Sequence, residues 1–336
     1  MISTYFLSIV IPVYNASMVI KCCLESIWSQ GLLDDEYEVI CVDDCSTDQS
    51  VDVIKSEMVK HPNLKYTRNN RNLRAGGARN QGVKEATGMY IVFIDSDDYF
   101  HTEGLLQAVN HLKCNQDLDI LVCNFSRELF NHPSNDFVQS YGSEEILPVN
   151  GFIARGHIPC GPCQWLFKRQ IMTDSKIWFR ENCICEDVDW THRLVLYART
   201  IQYQPILLTH YVIGDNTQTA NSYANPNNVY AYMDAGKALY ELQESYNRIG
   251  CGNYLHSMAK GYFQQSLKYY LAMKDNYKEK YKRIGNSIPK GFILSGIWRC
   301  VQLFPKSYSV ISNFLSPFVR YYINYKSRTR FRGINR

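Results

Sequence analysis

Apolar residues fall into two alternating patterns along the first third of the chain. "LSIVIPVY", "YEVICVDD", "NLKYTRN", "MYIVFID" and "DILVCNF" are short, nearly continuous runs. Between them, "ASMVIKCCLESIWSQ" places Val19, Ile20, Cys23, Leu24 and Ile27 at helical spacing. "STDQSVDVIKSEMVKH", "GGARNQGVKEAT" and "TEGLLQAVNHLKC" supply the helices after the next strands. Runs of the first kind predict strands buried on both faces; strands alternating with helices predict a mostly parallel sheet between helical layers. Right-handed crossovers bring the carboxyl ends of such strands to one edge, where open α/β sheets bind ligands. Residues 12–15, 43–46 and 95–98 are polar segments that each follow a strand at that edge.

The pattern then changes. Residues 142–211 are irregular and rich in Gly, Pro and Cys, apart from a predicted helix at "EDVDWTHRLVLYA" and a strand at "QYQPILLTHYV". Residues 227–281 are Tyr-rich with helical spacing, the stripe of a packed bundle. The 336 residues suffice for one large domain with an extension, or for two domains. The expected division is an α/β domain over 1–220, with parts at about 1–125 and 126–220, and a helical extension over 221–336.

Charge modifies this picture at one end. The net charge is +4, yet the residues from Lys280 onward hold twelve Lys and Arg and no acid, leaving −8 for the rest. The tail interleaves these charges with Trp298, Phe304, Phe314, Phe318, Tyr321 and Tyr322, a mixture suited to an anionic membrane surface. No nucleic-acid-binding motif accompanies it. Cys41 and Cys123 sit inside apolar runs, where Cys is a small buried residue. The first residues lack a basic segment and a cleavage site, and no stretch approaches the roughly 18 apolar residues of a spanning helix. The expected location is the cytoplasm, with the protein peripheral on the inner face of the cell membrane.

The chemistry concentrates in "IDSDD". Asp95, Asp97 and Asp98 are like charges that repel and are costly to desolvate, so they call for a cation or for full hydration. Residues two apart leaving a strand project to one side, so Asp95 and Asp97 can share a ligand set of hard oxygens suited to Mn2+ or Mg2+. The blander reading makes Asp98 a helix cap and leaves the others solvated. "EDVD" likewise reads alone as an acidic helix N-terminus.

In order, "SIVIPVYN", "VDDCSTD", "AGGARNQGVKEATG", "IDSDD" and "CEDVDW" resemble the inverting glycosyltransferases of family 2, of the bacterial polysaccharide-biosynthesis type, over roughly residues 5–215. The resemblance implies a GT-A fold, Rossmann-like, with a mostly parallel central sheet flanked by helices; the C-terminal helical extension would follow it. It implies that Pro12, Val13 and Tyr14 line the nucleotide base and that Asp44 hydrogen-bonds it. Gly77 and Arg79 would approach the nucleotide and diphosphate, and Asp95, with Ser96 beside it, the ribose. Asp97, together with Asp95, would hold Mn2+ or Mg2+. Asp187 would be the general base, with Glu186 beside it. The implied partners are a nucleotide-sugar donor, with UDP favoured, and a glycan or lipid-linked acceptor. Trp165 and Trp190 are candidate sugar-stacking surfaces of the acceptor site.

Chemistry supports these roles separately. A departing nucleoside diphosphate gains negative charge that a divalent cation stabilises, and a sugar hydroxyl needs a carboxylate to take its proton. One departure stands out: many relatives carry a Tyr-Arg pair and a Gly-Ser turn where this chain has "HYVIGDNTQT". His210 there reads as a hydrogen-bonded loop residue, with a metal-facing role as the alternative. "PCGPCQW" has redox spacing without a thioredoxin-like frame, and Cys160, Cys163, Cys183 and Cys185 form a possible zinc set. A nucleotidyltransferase and a non-catalytic nucleotide-sugar binder remain the alternative functions.

Overall fold

The computed structural model describes residues 5–129, 144–155, 158–213 and 228–272. Strands β1 (Leu7–Val13), β2 (Tyr37–Asp43), β3 (Leu64–Arg68) and β4 (Tyr90–Phe93) alternate with helices α1 (Ile20–Trp28), α2 (Ser50–Met58) and α3 (Arg74–Glu85). β1 runs parallel to both β2 and β4, and β2 parallel to β3. Both sheet faces are covered. Val10, Ile40, Val42 and Phe93 enter one core, while Ile9, Ile11, Val39 and Val92 enter the other. That two-sided burial is why these strands read as unbroken apolar runs. Gly82 lets α3 approach the sheet closely, since a Cβ there would lie 2.3 Å from Val10 Cγ1.

The rest of the sheet departs from simple alternation. β5 (Tyr99–Phe100), α4 (Gly104–Cys114) and β6 (Ile120–Leu129) follow, then α5 (Val149–Ala154), β7 (Trp165–Lys168) and α6 (Arg169–Asp174). Next come α7 (Glu186–Leu196) and β8 (Ile201–Ile213). The strand order is β3-β2-β1-β4-β7-β6-β8-β5. β7 inserts antiparallel between β4 and β6, a strand absent from the sequence expectation. The order reverses at β1 and β4, so a crevice opens beyond their carboxyl ends, as the alternation predicts.

Helices α8 (Asn228–Glu241), α9 (Gln243–Arg248) and α10 (Gly252–Ala272) complete the described chain. Their Met233, Leu239, Tyr246, Leu255 and Phe263 join the same core as Val10 and Phe93, so they pack on the sheet side that carries α7. Among the described residues no helix is long and apolar enough to cross a membrane. The basic tail from Lys280 lies outside the described residues.

Candidate active site

A cavity of about 1010 Å³ sits at the predicted crevice. Pro12, Val13 and Tyr14 line it from the end of β1, with the Tyr14 ring 53% exposed. Asp44 follows β2, and its N–H donates to Val13 O (2.8 Å), which fixes the two strand ends together. Its Oδ1 accepts from Asn69 Nδ2 (2.7 Å) and Leu73 N–H (2.8 Å). Its Oδ2 is buried without a protein partner, at a cost of about 1–3 kcal/mol for such a group. A ligand N–H would satisfy it.

Asp95, Ser96, Asp97 and Asp98 form the turn after β4 and all line the cavity, with Asp98 N–H closing onto Asp95 O (3.0 Å). Ser96 is half-buried and Asp97 exposed, while Asp98 turns under the sheet and accepts from Val212 N–H (2.9 Å). Burial, then Asp95 and Asp97, push the Asp98 carboxyl well up; the protein atoms around the Asp97 carboxyl, then Asp95, raise it too, although the residue as a whole is exposed. Asp95, Asp98 and Cys163 bring one ligand atom each to within 4.8 Å of one another, the one such grouping among the described residues. Crowded carboxyls raised by mutual repulsion fit a divalent cation. The grouping keeps Asp95 of the expected Asp95–Asp97 pair but joins it to Asp98 and Cys163, while Asp97 lines the same cavity.

Arg79 comes from α3 and is buried. Nη2 meets Asp95 Oδ1 at 2.6 Å and Nη1 meets Glu186 Oε1 at 2.9 Å, across 107 residues of sequence. The guanidinium packs near the Phe93 and Phe179 rings, 6.0 and 5.5 Å from their centroids. Burial opposes its charge, but Asp95 and Glu186 outweigh that and keep it protonated. Arg79 therefore lines the cavity with both terminal nitrogens already committed to carboxylates. Gly77, expected near the diphosphate, is absent from the cavity wall. A Cβ there would meet Leu73 Cβ at 2.2 Å, so this glycine accommodates the loop that holds Asp44.

Glu186 and Asp187 open α7, entered through Cys185 at φ 60°, a left-handed conformation uncommon outside glycine. Both line the cavity. Burial pushes the Asp187 carboxyl up to about 7, helped by Glu186 and opposed by Arg79. A carboxyl so poised can take or give a proton near neutrality.

The acceptor-stacking expectation is corrected. Trp165 and Trp190 are both 0% exposed and neither lines the cavity, so they offer no surface to a sugar. Trp190 stacks on Phe179 at 4.2 Å and donates its indole N–H to Ile177 O (3.2 Å); it is a core residue. His210 faces away from the cavity that its neighbours Thr209 and Tyr211 line. It meets His101 Nδ1 and Glu128 Oε1, each at 2.8 Å. The loop after it, 214–227, lies outside the described residues. Among the described residues Cys160, Cys163, Cys183 and Cys185 do not gather as one ligand set. Burial pushes the Cys160 thiol up to about 12, unlike a redox thiolate. Unanticipated wall residues include Arg127 on β6 and, from α10, Met258 and Tyr262. The α10 pair belonged to an aromatic stripe whose spacing signals only packing.

Residues 8–171 match the family described as Glycosyl transferase family 2. The chain is 34% identical over 231 residues to a poly(ribitol-phosphate) beta-glucosyltransferase of Bacillus spizizenii, covering 68% of this chain and 36% of that protein. It is 27% identical over 229 residues to the poly(ribitol-phosphate) beta-N-acetylglucosaminyltransferase TarS of Staphylococcus aureus, covering 67% and 39%. The chain thus spans little more than a third of these relatives' length. The crystal structure of S. aureus TarS 1–349 in complex with UDP-GlcNAc is similar at TM-score 0.59 and 20% identity, over 84% of this chain and 79% of that one. The mannosyltransferase PcManGT from Pyrobaculum calidifontis, in complex with GDP-Man and Mn2+, is similar at 0.54 and 14%, over 91% and 86%. At such identities the likeness is one of fold, and that fold is the expected GT-A architecture.

Proposed function

The chain belongs to glycosyl transferase family 2, and we propose that it is an inverting glycosyltransferase moving a hexosyl or N-acetylhexosaminyl group from a UDP-sugar to a hydroxyl of a polyol-phosphate or glycan polymer. The observation that carries this reading is the Arg79 bridge: one buried cation joins Asp95 of the acidic turn to Glu186 beside Asp187, holding both functional ends on one cavity. The unpartnered Asp44 Oδ2 supports uracil, whose ring N–H can donate to it, with Tyr14 beside the base. Asp95 and Ser96 would contact the ribose. The names of the relatives support glucose or N-acetylglucosamine as donor sugars and poly(ribitol phosphate) as the acceptor class.

Asp97 and Asp95 would hold Mn2+ or Mg2+, with Asp98 adjoining, and that ion supplies neutralisation of the leaving diphosphate's charge. Asp187 takes the proton from the attacking hydroxyl, which arrives opposite the leaving group and so inverts the anomeric carbon. Glu186 raises the affinity of Asp187 for that proton, and Arg79 keeps the base from being protonated too early. The tail beyond Lys280 would rest on an anionic membrane; binding of the full chain to phosphatidylglycerol vesicles at low salt, abolished by truncation at residue 279, tests that reading.

The principal test measures thermal stability with UDP, GDP and CDP, each with Mn2+ and with chelator. Selective binding to the native state raises the melting temperature. The expected result is a shift with UDP plus Mn2+ that is lost with chelator and in Asp44→Ala, and UDP release from UDP-glucose or UDP-N-acetylglucosamine. Equal shifts with all three nucleotides, or a shift insensitive to chelator, would overturn the assignment.

A further inference from the structure

We propose that the C-terminal helix α10 builds the acceptor end of this site, with Tyr262 and Met258 as specificity-determining residues for a hydroxyl-rich acceptor. Neither residue belongs to the segment 8–171 that matches the family, yet both line the cavity that Asp187 enters. They are four positions apart on one helix, and so side by side on one face. The proposed donor-side groups, Tyr14, Asp44 and Asp95, come instead from the ends of β1, β2 and β4. A cavity of about 1010 Å³ lies at the top of the roughly 300–1,000 Å³ range of small-molecule sites, leaving room for a second substrate.

Three tyrosines of the extension reach the segments that carry the base. Tyr246 OH donates to His192 O on α7 (3.1 Å). Tyr254 OH accepts from Ile158 N–H (2.9 Å) and stands 3.4 Å from His192 Nε2. Tyr262 is the third, interacting with Cys160 of the 158–163 loop and with Asp187, while its ring contacts Tyr232 of α8 at 5.9 Å. The first two hydroxyls are spent on protein backbone. Tyr262 alone of the three lines the cavity. Its hydroxyl hydrogen-bonds Cys160, and burial, with Cys160 and Asp187 nearby, pushes it far up, so it stays neutral and its oxygen can accept from a hydroxyl neighbouring the one that attacks. Met258 offers an adaptable apolar surface to the carbon face of the same acceptor.

This inference rests on the glycosyltransferase reading, so the experiment separates the two. UDP release from the donor into water is compared with transfer to poly(ribitol phosphate) for the full chain and for Tyr262→Phe, Met258→Ala and Tyr246→Phe. Tyr262→Phe and Met258→Ala should raise the acceptor KM about tenfold and lower the ratio of transfer to hydrolysis by a similar factor. Tyr246→Phe, which removes a buried hydrogen bond to the backbone away from the cavity wall, should leave that ratio alone. Unaltered acceptor KM in both cavity variants would overturn the proposal, as would hydrolysis and transfer falling together, which marks a structural role only. A native protein that neither hydrolyses nor transfers overturns the glycosyltransferase reading, and this inference with it.

Discussion

Replacing Arg79 with Met removes the cation between the two ends of the site while keeping much of the side-chain volume. Asp95 and Glu186 are then left 32% and 13% exposed without their common partner. Breaking a buried pair costs about 3–5 kcal/mol; solvent screening of Asp95 points to the lower end, about 3 kcal/mol. For a chain of 336 residues, at about 2.1 cal/mol/K of unfolding entropy per residue, that lowers the melting temperature by roughly 4 °C. A second effect falls on the base. Arg79 opposes the rise of the Asp187 carboxyl to about 7. Losing an opposite charge moves a carboxyl up by about 1 unit or more. In its proposed role as base Asp187 would act as carboxylate, so at pH 7 the active fraction should fall from about half to about a tenth, a fivefold loss that alkaline pH restores. The assay is the pH profile of kcat/KM, with a thermal melt in parallel. The acid limb should move upward by about one unit in Arg79→Met. An unmoved acid limb together with an unchanged melting temperature would refute the reasoning.

Asp187→Asn should lower transfer by about 10²–10⁴-fold while UDP binding by thermal shift persists, because only proton removal is lost. Trp190→Ala should cost about 3–5 kcal/mol in urea melts and leave the acceptor KM of the folded fraction alone, since the ring packs in the core. Glu38 is fully buried and accepts from Ser8 Oγ (2.6 Å), Thr87 N–H (2.6 Å) and Lys65 Nζ (2.5 Å). Burial pushes its carboxyl up, but these bonds win and hold it below the usual range. Glu38→Gln should therefore cost about 3 kcal/mol at pH 7. That gap should close as acid takes the native protein through the lowered carboxyl value, below about pH 4.

The parallel half of the sheet was legible because its strands are buried on both faces and its helices on one. β7 was not, being four residues that follow Gly161 and Pro162 and gain strand geometry only by pairing with β4 and β6. Asp44, Asp95 and Asp187 were legible by their place after strands or at a helix start. The partner of Arg79 was not, since Glu186 lies 107 residues away and only folding reveals the pair. An aromatic residue near a polar motif suits either a stacking platform or a core. For Trp190 the rings of Phe93, Phe167 and Phe179, at 5.6, 5.4 and 4.2 Å, decide for the core.

Charge within the cavity ties these pieces together. Its wall holds the carboxyls of Asp44, Asp95, Asp97, Asp98, Glu186 and Asp187 against the guanidiniums of Arg74, Arg79 and Arg127. Fully ionised, such a wall would repel a nucleoside diphosphate. Two features relieve this: Asp97, Asp98 and Asp187 are raised toward protonation, and Arg79 offsets the charges of Asp95 and Glu186 from within the wall. What remains is an acidic turn open on the side of Asp97 and short of positive charge. In the proposed mechanism Asp95 and Asp97 would hold a divalent cation there, which would supply positive charge for the leaving diphosphate. Arg79 is committed to Asp95 and Glu186, so under the proposed mechanism the diphosphate's charge is left to the ion, and donor binding should depend on it.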